Sequence, residues 1–299
     1  LEVRAVKNLS LKPFAFWVAT VILLPPALIF VSAGFALGCL LGAVSEVLKM
    51  EGLGFKKSVT VWTVGTLAGF IGIALLASGI VKVKGNILKV LWMVMTENAG
   101  KIVISNHPSM SETFILPMML FGAYFFNPAV MPISTPDDRL YYRKDLSFVR
   151  PVCIPVKRDD PTGRGAMEFV RKAISVLDWN GSIVLFPEAG RTHKGTEFRT
   201  KGKNRVRKFA KGILSLLKSK RKKRRLLIPV WVKGGETLMK NVEYYGEKSE
   251  FSVSRSRINL AGEVTIVFGK PFFSDELPAD KPSALQTLEE KVLDLSEVA

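Results

Sequence analysis

The chain has 299 residues, 48% of them hydrophobic and 23% charged, which excludes wholesale disorder and leaves room for one sizeable core plus accessory segments. Two cysteines exclude a disulfide framework, and two histidines exclude most histidine-rich metal sites. A net charge of +17 calls for a polyanionic partner or surface: nucleic acid, a phosphorylated substrate or an anionic membrane.

Two uncharged runs come first, 33 residues from Pro13 to Ser45 and 24 from Ser58 to Val81. A transmembrane helix needs ~20 apolar residues. The second run, as one helix at ~1.5 Å per residue, is about 36 Å long and able to cross a bilayer. Pro25-Pro26 should break the first run into a short interfacial piece and a helix beginning near Pro26. Gly34, Gly38 and Gly42, and again Gly65 and Gly69, recur at four-residue spacing. Such notches let two membrane helices pack as a hairpin, although glycine is also simply frequent in membrane helices. The first run exceeds a signal-peptide h-region and continues past Gly38-Cys39, so neither a removable leader nor lipoprotein cleavage at Cys39 is expected.

Arg4, Lys7, Lys12, Lys82, Lys84 and Lys89 flank the pair outside, whereas the loop between them holds Lys49, Lys56 and Lys57 beside Glu46 and Glu51. The positive-inside tendency then places the main domain on the cytoplasmic side. A re-entrant hairpin gives the same sidedness, so spanning and re-entry both stay open.

The boundary falls at Lys82–Asn86, dividing a membrane-anchoring segment (1–84) from a single domain (85–299) that holds 35 basic and 23 acidic residues. Apolar strand candidates recur at Ile102–Ser105, Val152–Val156, Ser182–Phe186, Leu226–Val232 and Val264–Phe268, with helical patterns at Glu112–Tyr124, Gly165–Leu177, Val206–Leu217 and Ser283–Leu295. Continuous apolar strands alternating with amphipathic helices predict an α/β fold, a largely parallel sheet flanked by helices.

Ligands in such sheets collect beyond the carboxyl ends of strands. Two segments sit there. Asn106-His107-Pro108-Ser109-Met110-Ser111-Glu112 follows the first strand, with Pro108 suited to the first helical turn. Glu112, about a turn and a third beyond His107, can accept one imidazole N–H and leave the other nitrogen to take a proton. Alone, a His-x4-Glu is more often structural. Phe186-Pro187-Glu188-Ala189-Gly190-Arg191-Thr192 follows the third strand. Arg191 can clamp a phosphate and Glu188 can bond a polyol hydroxyl, or the two can pair with each other. His193 reads as a surface or substrate-rim residue. No cluster has metal-ligand spacing, and no metal or cofactor is expected.

Taken together, the two segments resemble the glycerolipid acyltransferases, the lysophosphatidic acid acyltransferase (PlsC-like) family. Ile154-Pro155-Val156-Lys157-Arg158, Lys208-Phe209-Ala210-Lys211-Gly212, Leu227-Ile228-Pro229-Val230 and Gly269-Lys270-Pro271 extend the similarity in family order over roughly residues 100–272. The resemblance implies that residues 85–299 are an acyltransferase domain with His107 as general base and Glu112 orienting it. Glu188 then positions the acceptor, Arg158 and Arg191 hold its phosphate, and Lys208 and Lys211 lie in the substrate-binding set. Direct attack on an acyl thioester is implied, so Ser109, Ser111 and Cys153 need not be nucleophiles. Two departures bear on acceptor specificity: the family usually has Asp at the position of Glu112, and Gly-Thr where Ala189-Gly190 stands here.

The chemistry asks for the same parts. A glycerol hydroxyl is a poor nucleophile at neutral pH, and a positioned base contributes ~10²–10⁴-fold. The expected function is membrane-bound transfer of a fatty acyl group from acyl-CoA or acyl carrier protein to the sn-2 hydroxyl of 1-acylglycerol 3-phosphate, giving phosphatidic acid. Glycerol 3-phosphate and other lysolipids are the alternative acceptors. Between Arg199 and Arg225 lie fourteen Lys/Arg and no acid, ending in Lys220–Arg225. That stretch reads as an anionic-lipid or coenzyme A contact at ~1 kcal/mol per residue, as a nucleic-acid patch, or as a solvated face. With Phe209 as its only aromatic residue it lacks stacking partners for bases, so membrane phospholipid is the expected partner and nucleic acid is not. A non-catalytic basic membrane- or nucleic-acid-binding tether is the rival from another class.

Overall fold

The computed structural model describes residues 11–47, 59–138, 144–157, 162–189, 192, 197–217, 224–239 and 258–299. The first apolar run is one unbroken helix, α1 (Lys12–Val47), which passes through Pro25 and Pro26 instead of breaking there. Adjacent prolines remove two backbone donors, but their fixed φ already suits a helix. The stretch Lys12–Leu40 is long and apolar enough to cross a membrane. Phe14, Trp17, Val21, Ile22, Ile29 and Leu40 all point away from the rest of the protein.

The second run behaves differently. Residues 59–60 are already helical, and a π-helical turn (Val61–Gly65) leads into α2 (Thr66–Ala77), so this apolar helix ends at Ala77 instead of running on to Val81. Gly79, at φ +69°, ends it in a left-handed turn. The chain then enters β1 (Val81–Gly85). Val61 and Leu75 lie in the hydrophobic core beside residues of the sheet.

The glycine notches divide their work. A Cβ on Gly34 would stand 2.5 Å from the Trp62 carbonyl oxygen, so α1 and the second helix do approach closely there. Gly65 and Gly69 instead accommodate the rings of Tyr124 and Phe121. Phe125 contacts both Phe30 and Trp62, with ring centroids 5.8 Å apart in each pair. Lys12, at the head of α1, pairs with Glu263 at 2.5 Å, and Lys82 of β1 pairs with the same carboxylate at 2.8 Å.

Beyond β1 come α3 (Ile87–Thr96), β2 (Gly100–Ser105), α4 (Ser111–Met119), α5 (Phe121–Phe126) and β3 (Pro132–Ile133). They are followed by α6 (Arg164–Asp178), β4 (Ser182–Leu185), the hairpin β5 (Phe198–Lys201) and β6 (Asn204–Arg207), and α7 (Ile213–Leu216). The chain closes with β7 (Arg225–Lys233), α8 (Gly235–Leu238), β8 (Val264–Phe268), β9 (Phe272–Phe273) and α9 (Lys281–Leu293). The main sheet has seven strands among the described residues, ordered β1-β8-β7-β2-β4-β3 with β9 beside β7. Pairings β1–β8, β2–β4, β2–β7 and β3–β4 are parallel, while β7–β8 and β7–β9 are antiparallel. The fold is therefore α/β with a mostly parallel central sheet flanked by helices.

Alternate side chains of the strands build the two faces. Val103, Val184, Ile228 and Ile266 join the core beneath α2–α5, whereas Ile102, Ile183, Leu227 and Val267 join the one beneath α6, α7 and α9. Both faces being covered explains why these strands read as continuous apolar runs.

Several expected elements differ. β1 crosses the expected boundary at 84/85 and pairs in register with β8 from Val81↔Val264 to Gly85↔Phe268. Val152–Val156 forms only single bridges, Ser134↔Cys153 and Asp137↔Val156, after a 3-10 segment (Lys144–Val152). Pro151 and Pro155 cannot donate to a ladder, which accounts for the missing strand. The helical pattern Val206–Leu217 splits into the end of β6 and the single turn α7. Glu112–Tyr124 splits at Leu120, three residues after Pro117.

Candidate active site

The first site segment leaves β2 directly. Ser105 is its last residue, and the Asn106 side chain continues the pairing with β7: its Nδ2 donates to the Val232 carbonyl at 2.8 Å, and its Oδ1 accepts the Val232 N–H at 2.7 Å. That double bond sets where His107 departs. Pro108 lies in the loop rather than in the helix, because α4 begins only at Ser111. Glu112 falls in the first helical turn, where a carboxylate is favoured by the helix dipole.

His107 Nδ1 lies 2.6 Å from Glu112 Oε1. Burial pushes the Glu112 carboxyl up, but its bond to His107, the attraction of that ring and bonds from the backbone and Ser109 outweigh burial and leave it below the usual glutamate value. Ionised, Glu112 can only accept, so Nδ1 is the donor, and in the neutral ring the lone pair is then on Nε2. Among the described residues, no hydrogen bond reaches Nε2. The imidazole stacks on Phe186, centroids 4.5 Å apart at 23°, and is 12% exposed.

Ser109 and Ser111 belong to this pair as supports. The Ser109 N–H donates to Oε1 at 2.9 Å and its hydroxyl to Oε2 at 2.8 Å. Ser111 Oγ lies 2.9 Å from Ser109 Oγ and donates to the Gly235 carbonyl at 3.2 Å. Both are fully buried, in keeping with a positioning use rather than a nucleophilic one. The Cys153 thiol is pushed up to about 12 by burial, which makes it inert. The sequence signal for the two serines is their spacing around Glu112, readable only once the loop is seen to fold back on the helix start.

The second segment meets the first. Glu188 Oε1 accepts the His107 N–H at 2.9 Å and the Thr192 hydroxyl at 2.9 Å, and Oε2 accepts the Arg207 N–H at 3.1 Å. Thr192 N–H returns to the His107 carbonyl at 2.9 Å. Glu188 is 1% exposed, and burial raises its carboxyl above the usual value despite these bonds. Its carboxylate thus fastens the two motif loops and β6 together. Ala189 follows in the left-handed region at φ +52°.

Lys208 and Lys211 stand on the stretch after β6. The Ala210 N–H between them donates to the Pro187 carbonyl at 2.8 Å, tying that stretch to the Phe186–Glu188 loop. Lys208 pairs with Glu197 at 2.9 Å, while Lys211 is exposed. Arg158, Arg191 and His193 lie outside the described residues, as do 218–223 of the basic stretch. Other members of that stretch have acidic partners from distant sequence: Arg199 with Glu289 and Lys201 with Asp294 and Glu297. Arg225 is fully buried against Asp178 at 2.5 Å.

A base held by a buried carboxylate through one ring nitrogen, with no hydrogen bond to the other among the described residues, can deprotonate a hydroxyl placed against it at the carboxyl end of a central strand. No protein-family model matches the sequence, and no curated protein matches it. Among solved structures, the chain is similar to the 1-acyl-sn-glycerophosphate (LPA) acyltransferase PlsC from Thermotoga maritima, with a TM-score of 0.50 and 14% identity over 96% of this chain and 97% of that one. At that identity the likeness is one of fold, and it takes in nearly the whole of both chains.

Proposed function

We propose that the protein is a membrane-bound acyltransferase that moves a fatty acyl group from acyl-CoA or acyl carrier protein to the sn-2 hydroxyl of 1-acylglycerol 3-phosphate, yielding phosphatidic acid. The carrying observation is the 2.6 Å contact of His107 Nδ1 with the buried Glu112 carboxylate, which leaves Nε2 available as base. In the reaction, Nε2 takes the hydroxyl proton as the acceptor oxygen bonds to the thioester carbonyl carbon. Collapse of the tetrahedral adduct breaks the carbon–sulfur bond, and the leaving sulfur takes the proton from the imidazolium. His107 ends neutral, with no covalent acyl-enzyme.

Fold likeness to an acyltransferase and the apolar α1 support the lipid setting. The charge distribution of the flanks supports a cytoplasmic catalytic domain. Arg158 and Arg191 are the proposed phosphate ligands, with Lys208 and Lys211 completing a cationic rim. Glu188 holds the acceptor side of the site through the loops it joins. Free-thiol release from acyl-CoA with lysophosphatidic acid tests the reading: wild type should turn over and His107→Ala should not. Turnover that survives the substitution removes His107 as base. A panel with glycerol 3-phosphate and other lysophospholipids then fixes the acceptor.

A further inference from the structure

Gly234 and Gly235 follow β7 for different reasons. Gly234 has φ +80° and packs against the Glu263 carbonyl, so its conformation calls for glycine. Gly235 has no positive φ. It opens the helical turn α8, where alanine is the better former by ~1 kcal/mol. Backbone conformation therefore gives no reason for glycine at 235. Space does. A Cβ there would stand 2.7 Å from Ser109 Oγ, 2.8 Å from Ser111 Oγ and 3.1 Å from Glu112 Oε2. All three atoms belong to fully buried side chains already bonded to one another, so none can swing away without breaking a bond.

We propose that Gly235 is a positioning residue for the His107–Glu112 pair: its missing side chain is the volume in which Ser109, seated against Ser111, grips one carboxylate oxygen, and that grip fixes the other against the imidazole. A methyl group at 235 can be relieved only by displacing Ser109, Ser111 or Glu112. Displacing Glu112, or Ser109 whose N–H and hydroxyl hold it, disturbs the 2.6 Å contact with Nδ1. Ser111 is the one neighbour whose hydroxyl can be deleted without touching that contact directly. Its removal leaves a place into which the Ser109 hydroxyl can retreat.

The kinetic side of the proposal rests on the acyltransfer reading; the geometric side does not. Gly235→Ala, Ser111→Ala and the double variant are compared in full-length protein by thiol-release kinetics and by ring-nitrogen NMR. The NMR is tractable because the chain has two histidines, and His193→Gln assigns the other. Gly235→Ala should lower kcat about tenfold or more with both KM values little changed, as expected for misplacement by a fraction of an ångström. It should also weaken the signature of a proton held at His107 Nδ1. Adding Ser111→Ala should restore part of both, a non-additive result expected of neighbours in one cluster.

Unchanged kcat and spectrum in Gly235→Ala overturn the proposal, as does a loss confined to KM or a double variant as impaired as the two singles combined. If Gly235→Ala does not fold, the double variant decides: recovery of folded protein with the Nδ1 signature supports the proposal, and continued misfolding overturns it. A wild-type protein without thioester turnover removes the acyltransfer reading alone, and the spectra then decide the role of Gly235.

Discussion

Glu188 accepts the backbone N–H of His107 at 2.9 Å, although the two residues are 81 apart in the chain and stand at the ends of neighbouring strands. The same carboxylate takes the Arg207 N–H through its other oxygen, at 3.1 Å. The main chain of the candidate base is thus held by one buried acid while its ring is held by another.

Glu188→Gln should destabilise the protein by about 1–3 kcal/mol, because an amide cannot accept at both ends and one buried N–H loses its partner. The pH dependence has a defined sign. Burial raises the native Glu188 value, so the folded protein binds more protons than the unfolded chain between the ordinary glutamate value and the raised one. Stability falls as pH rises through that window, and the wild-type advantage over Glu188→Gln should shrink with it. Denaturant midpoints measured across pH 4 to 8 check this.

For Glu112 the sign reverses. Its native value lies below the usual one, so its stabilisation is present above the unfolded glutamate value and fades as pH falls through the native one. Glu112→Gln should cost most stability near neutrality and least in acid. It should also lower kcat by on the order of 10²–10⁴, the contribution of a correctly held base. Steady-state kinetics alongside the same unfolding series separates the two effects.

Ala189→Gly should stabilise the fold by about 1 kcal/mol, since alanine at φ +52° carries the left-handed penalty that glycine escapes. Thermal unfolding measures it. The gain should come without loss of kcat, because the φ already adopted is the one glycine favours.

Asp178→Asn should be the most damaging change outside the site. Asp178 faces the fully buried Arg225 guanidinium at 2.5 Å. Removing one charge of a buried pair typically costs about 3–5 kcal/mol, and chemical denaturation should report a loss of that order.

The sheet was legible wherever both faces of a strand are covered. Ile102–Ser105, Ser182–Phe186, Leu226–Val232 and Val264–Phe268 announce themselves as apolar runs, and all four are strands within a residue or two. β1 was not, because Val81-Lys82-Val83-Lys84 is half exposed and follows an apolar helix without a polar break. Prolines misled in both directions: Pro25-Pro26 leave α1 intact, while Pro151 and Pro155 undo an expected strand. At the site, the reach of Glu112 back to His107 follows from spacing along one helix start. The grip of Glu188 on His107, the seat of Asn106 on Val232 and the room left by Gly235 depend on strands brought together from distant sequence. No local pattern announces them. The same holds for the basic stretch, whose acidic counterparts on α9 and after it lie about ninety residues downstream.

The pairing of Val81–Gly85 with β8 also limits how the protein can be dissected. An expression fragment starting at residue 85 would strip that outer strand and bare the row of N–H and C=O groups along Val264–Phe268. It would also thin the core around Ile266 and Phe268, which share one hydrophobic cluster with Val61, Leu75 and Val81. Such a raw, apolar margin invites chains to add to one another. The fragment should precipitate or form oligomers, whereas one that keeps residues 59 onward retains its own selvedge.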